Sequence, residues 1–127
     1  MHEHDPFLTI EYALGQAVAG DTVYIYPGTY QEEFPLTIPA GVHVKGASIR
    51  SVIIEPTAGT IDHDAFFIDG EVTVEDLTVT GFRFNYIEDS GYGFRFKNNF
   101  SVTTRSPYIR NVSVITKGST TSVSDPY

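Results

Sequence analysis

The chain contains no cysteine, so disulfides and thiolate chemistry are closed to it, although that alone does not decide its compartment. Cations are scarce. Lys plus Arg number 8 against 16 Asp plus Glu, a net charge of −8 with His neutral. Such a surface repels phosphates, which argues against binding bare nucleic acid. No apolar run approaches the roughly 18 residues that would cross a bilayer. The first six residues, Met1 to Pro6, hold neither a basic stretch nor a following apolar one, so they do not read as a signal peptide. His2 and His4 flank Glu3 there, and residues 1–7 read as a solvated tip rather than a metal grip.

What is present suits one domain. The chain has 127 residues, 41% of them apolar, which excludes a purely disordered acidic polymer. Residues 8–20 read as one helix. Leu8, Tyr12 and Ala13 recur at helical spacing, with Ile10, Leu14 and Ala17 widening the stripe. Asp5-Pro6 is the stronger start signal and Thr9 the weaker one. Gly20 is expected to close the helix as a C′ glycine, with Asp21 beginning a turn.

Beyond Gly20 the period changes to two. Short strands are expected at 22–26, 36–38, 42–45, 52–54, 66–68, 72–74, 77–80, 94–96, about 100–102, 108–109 and 112–115. Turn residues separate them, among them Pro27-Gly28, Pro39-Ala40-Gly41 and Gly81. Asp69-Gly70 is the best hairpin signal, and such signals are few. Val72 to Thr80 also resembles Pro107 to Ile115, with Asp76 aligned on Asn111 at an offset of 35 residues. An Asp or Asn between two strands makes a sharp corner, because both tolerate the left-handed region. A corner recurring at a fixed offset points to a solenoid.

The stretch from Thr9 to Leu14, followed by Gly20-Asp21-Thr22 and then Pro27-Gly28-Thr29-Tyr30-Gln31-Glu32, resembles the opening of pectin-lyase-like right-handed parallel β-helix proteins. Leu36–Ile38, Gly41–Gly46 and Ser51–Ile53 continue the likeness. The resemblance implies an all-β solenoid: a single-stranded right-handed parallel β-helix of about three to four coils over residues 21–117, with a capping helix before it. It implies structural roles for Gly20, Asp21, Gly28, Tyr30, Glu32, Asp76 and Asn111. Tyr30 would lay its ring back on the coil, and Glu32 would tie the turn down. Gly91 to Phe96 and Thr104 to Thr116 are similar to segments of large virion structural proteins of tailed phages, notably those of marine cyanobacteria. That likeness implies a virion protein, tailspike-like, assembled in a host cytoplasm. Residues 118–127 are polar, and the expectation is a tail truncated from a longer parent.

Fold does not give activity. The paired acids and the Gly-His-Gly of polygalacturonase-like members are missing, as are the catalytic motifs of pectin methylesterases. No catalytic residue, metal ligand or cofactor is assigned. Asp62-His63-Asp64 is the most tempting cluster, but in an extended chain the two Asp share one face and His63 the other, so a polar loop is preferred. Glu88-Asp89 with Asp62 or Asp64 would make an acid/base pair only at suitable separation; solvated turns are preferred. Tyr86, Tyr92 and Arg95 form the one candidate contact for polysaccharide or a protein partner, in an aromatic and basic stretch with Arg83, Lys97 and Phe100. Phe94 and Phe96 are expected inward there, with Arg95 and Lys97 outward. Asn111-Val112-Ser113 fits a glycosylation pattern without consequence in a phage or bacterial protein.

The expected function is that of a structural and interaction module. Its rivals are the leading coils of a polysaccharide depolymerase whose active site lies elsewhere, and a carbohydrate-binding β-helix. The expected partners are copies of the chain, a trimer above all, or other virion proteins. Self-association is expected through side faces or through apolar positions such as Val112 and Val114 at the last coil.

Overall fold

A computed structural model describes residues 9–85, 87–96 and 107–117. Among the described residues one α-helix, α1 (Ile10–Gln16), precedes nine strands: β1 (Thr22–Ile25), β2 (Gly28–Glu32), β3 (Leu36–Ile38), β4 (His43–Gly46), β5 (Val52–Pro56), β6 (Phe66–Ile68), β7 (Thr73–Thr80), β8 (Phe94–Phe96) and β9 (Tyr108–Ile115). The named strands pair only in parallel, each with strands well separated from it in the chain. β1 pairs β4, and β4 pairs the first half of β7. β2 pairs β5, and β5 pairs the second half of β7. β9 follows β7 along its length, and β3, β6 and β8 form a separate three-stranded sheet. The result is a strongly curled parallel sheet beside a smaller one.

The curl has a local cause. β7 changes neighbour between Glu75 and Thr78, and Asp76 between them has φ of 64°; Asn111 occupies the same place in β9 with φ of 56°. Glu75 pairs Arg110 and Leu77 pairs Val112, so the offset of 35 residues holds on both sides of the corner. The corner expectation is correct, although each pair of expected strands is one continuous strand bent at its middle. In β4, Gly46 lies one step beyond the Lys45–Glu75 pair, and a Cβ there would sit 2.1 Å from the Asp76 carbonyl oxygen. Only glycine admits the corner so close.

Period-two alternation fills the core. Val23, Val44 and Val74 stack at one inward position, Ile38 and Ile68 at another, Ile54 and Val79 at a third, all buried. Phe66 stacks on Phe94 at 5.3 Å between ring centres. Burial of this kind contributes about 25 cal/mol per Å² of apolar surface, and no single turn of chain makes it alone.

Several expectations need correction. The helix is shorter than 8–20. Thr9 is its N-cap, its hydroxyl accepting from the Tyr12 amide at 2.9 Å. Leu8, Asp5 and Pro6 lie outside the described residues. Tyr12 is exposed, and the buried stripe is Ile10 and Leu14. Gly20 does not close the helix, which ends at Gln16 with Ala17 as its C-cap; the Asp21 carboxylate takes the Val18 amide at 2.9 Å instead and draws the chain into the next turn. Gly20, with φ of 98°, donates to the Gly41 carbonyl at 2.8 Å. Asp69-Gly70 is no hairpin, because β6 and β7 belong to different sheets. β2 is a strand where the sequence pattern predicts only a turn and its approach. Its buried position is Glu32 and its half-buried one Tyr30, so it lacks the apolar alternation that marks a strand. Residues 100–102 lie outside the described region.

Candidate functional site

Glu32 is 4% exposed and carries a carboxylate into the core. Its Oε2 accepts from the Ile10 amide at 3.0 Å and its Oε1 from the Glu11 amide at 3.2 Å. Glu32 therefore fastens α1 over the first strands and does not tie down the Pro27-Gly28 turn. Burial raises its pKa above the ordinary carboxylate range, against the lowering effect of those two amides; the Glu11 charge adds a smaller upward push. Tyr30 does lie back as expected. Its hydroxyl donates to the Tyr26 carbonyl at 2.6 Å, and its ring lies against Gly28, whose amide donates to the Ser51 carbonyl at 2.8 Å. Burial first, and then the Glu32 charge, raise the Tyr30 pKa.

The outer face of the bend carries a ladder of charge. Lys45 Nζ reaches Glu75 at 3.1 Å and Asp76 at 2.6 Å. One rung on, Arg110 Nε meets Glu75 at 3.3 Å, and Asn111 donates to Asp76 at 2.8 Å. The Lys45 hydrogen bond, then that of Asn111, holds Asp76 below the usual carboxylate range. Asp76 and then Glu75 raise Lys45 in turn. This ladder follows from the 35-residue alignment, which places Glu75 against Arg110 as well as Asp76 against Asn111. The corner residues draw the eye to the second pair; the first is equally implied by the same offset.

Around residues 83–95 the acids singled out in the sequence find separate partners. Asp62 takes Arg83 Nε at 2.6 Å, which holds its carboxyl low. His63 Nδ1 lies 2.9 Å from the Phe34 carbonyl. Asp64 accepts the amides of Gly91 and Tyr92, both at 2.9 Å, and Arg95 Nε at 2.5 Å. Asp62, His63 and Asp64 thus diverge, as a polar loop would have them. Arg95 also donates to the Asp89 carbonyl at 2.6 Å and lies 4.8 Å from the centre of the Tyr92 ring. The Tyr92 hydroxyl donates to Asp89 at 2.5 Å, and that bond raises its pKa.

Tyr92 and Arg95 are therefore brought together, as one cluster with Asp64 and Asp89. Tyr86, Lys97 and Phe100 lie outside the described residues. Tyr92 is 39% exposed, with Arg95 over its ring and Phe84 at its edge, 5.4 Å between ring centres. Asp62, Asp64 and Asp89 each already accept a hydrogen bond from within the chain. A glycosidase pair needs carboxyls directed at substrate. Phe94 is half-buried as expected, but Phe96 is not inward in the buried sense: it is 43% exposed, because no described strand covers β8 on its far side.

Among the described residues no group of three or more His, Asp or Glu is arranged to hold a metal ion. No described helix is long and apolar enough to cross a membrane. No curated protein matches the chain at the significance required, and no solved structure does. One family model does match, over residues 2–122, and by it the chain belongs to DUF1565, a family of proteins of unknown function.

Proposed function

We propose that this chain is a structural and interaction module, a rigid rod that positions other regions. In this reading it is a right-handed single-stranded parallel β-helix of about three to four coils, with α1 as its cap. The hand follows from the strong preference for right-handed crossovers between parallel strands. The likeness of its second half to virion proteins gives the setting we propose for it. One observation carries the reading. Asp62, Asp64, Asp76 and Glu75, the carboxylates best placed for chemistry, are bonded to Arg83, Arg95, Lys45 and Arg110, each 21 to 35 residues away in the chain. These bonds join one turn of chain to the next.

The test is incubation of the purified chain with a panel of neutral and acidic polysaccharides, followed by reducing-end and unsaturated-product assays. No product is expected. Product formation that Asp62→Asn or Asp64→Asn abolishes, with the fold retained, overturns the proposal in favour of a depolymerase.

A further inference from the structure

At the end of the stack formed by β8 and β9, inward positions come to the surface. Val23, Val44 and Val74 are at most 5% exposed, but Ile109, next in that column, is 36% exposed. Ile54 and Val79 are wholly buried, whereas Val114 is 42% exposed. Ile38 and Ile68 lead in the same way to Phe96. No described strand pairs with the far edge of β9. The Tyr108 amide donates to Val72 at 2.9 Å, so the Ile109 amide faces that far edge. This end calls for a strand, with apolar residues at alternate positions.

Charge narrows the choice of strand. β8 and β9 contain no Asp or Glu, although the whole chain has 16. Among the described residues the ladder alternates in sign from Lys45 to Glu75 to Arg110 and goes no further. Arg110 is 58% exposed, with one carboxylate among the described residues, 3.3 Å away, so the next rung is left to an acid. A second copy pairing its own β9 there would bring another acid-free strand with an arginine. The other end cannot be offered by a second copy either, since α1 lies over β1, β2 and β3.

We propose that this end binds an extended acidic and apolar segment of another protein, added in parallel to β9. Its apolar residues cover Ile109 and Val114, and its acid faces Arg110. The proposal rests on the rod reading above and names the class of partner. β7 has the required pattern, so the probe is a synthetic peptide of the sequence Glu71–Thr80, titrated into the full chain by calorimetry. Saturable binding is expected. Arg110→Glu is expected to weaken it at least tenfold, and the peptide carrying Glu75→Lys to bind the wild type equally poorly. That peptide is expected to recover binding on the Arg110→Glu chain, a result a misfolded variant cannot give.

Absence of saturable binding overturns the proposal, as does binding indifferent to both charge changes. A concentration-dependent dimer that the peptide fails to dissociate assigns the end to a second copy and overturns it too. Protection from exchange of the far-edge β9 amides in the free monomer would mean that the chain covers its own end, and would likewise overturn the proposal. The polysaccharide assay is separate: if the peptide fails while no product forms, the rod stands and only the docking end falls.

Discussion

Replacing Glu32 by alanine removes the acceptor for two amides at once. The Ile10 amide is buried with it, and the Glu11 amide is partly so. A buried donor left without a partner costs about 1–3 kcal/mol. The second amide, nearer water, costs less, so the expected loss is about 2–4 kcal/mol. Against a urea dependence of about 1–3 kcal/mol per molar, the midpoint falls by about 1–2 M. The assay is urea unfolding followed by circular dichroism and tyrosine fluorescence, with amide exchange read at Ile10 and Glu11. A loss under about 0.5 kcal/mol, within the range of an ordinary surface change, with exchange unchanged at both amides, refutes the fastening role. Glu32→Gln supplies the pH arm. Burial raises the folded pKa of Glu32 above its unfolded value, so the folded chain takes up the proton more readily. The stability gained from that proton is fully present below the unfolded value and is lost as pH rises through the folded one. Glutamine does not titrate, so the stability difference, wild type minus Glu32→Gln, is expected to grow on acidification. A difference that shrinks would mean that the two amides outweigh burial.

Gly46→Ala drives a methyl group to 2.1 Å from a backbone oxygen, and a loss of about 2–4 kcal/mol is expected by thermal or urea unfolding. Asp76→Ala is expected to lower the melting temperature more than Asp76→Asn, since asparagine keeps the left-handed corner that Asn111 already occupies; equal losses would count against the corner argument. The Lys45 hydrogen bond lowers the folded pKa of Asp76, so its stabilisation is present above the unfolded value and is lost as pH falls through the folded one. Comparing wild type with Asp76→Asn across acid pH isolates that loss, opposite in sign to the Glu32 effect. Asp64→Ala frees the Gly91 and Tyr92 amides and the Arg95 guanidinium together. Faster exchange at those two amides is expected, with the amides of β1 and β4 unchanged.

What is legible in the sequence is what a residue decides within its own few neighbours. Asp76 and Asn111 announce a left-handed corner without knowing what lies beside them, and the alternating valines and isoleucines announce an inward face. Where a partner is distant, the signal fades. Thr9 looks a weaker cap than Asp5-Pro6 because the second contact at that helix start comes from Glu32, more than 20 residues away. β2 looks like a turn because its inward residue is that same acid. Asp62 and Asp64 look like a catalytic or metal cluster because the arginines that claim them, Arg83 and Arg95, come a whole turn of chain later. The ladder shows how such partners become legible: once two segments are aligned at their common offset, every position in one names its neighbour in the other, and Glu75 with Arg110 can be read as a pair. Polar residues in a stacked fold are therefore best judged by what stands one turn away before they are judged as chemistry. By that standard Arg110, with one charged partner among the described residues, is the residue in the ladder that still asks for another.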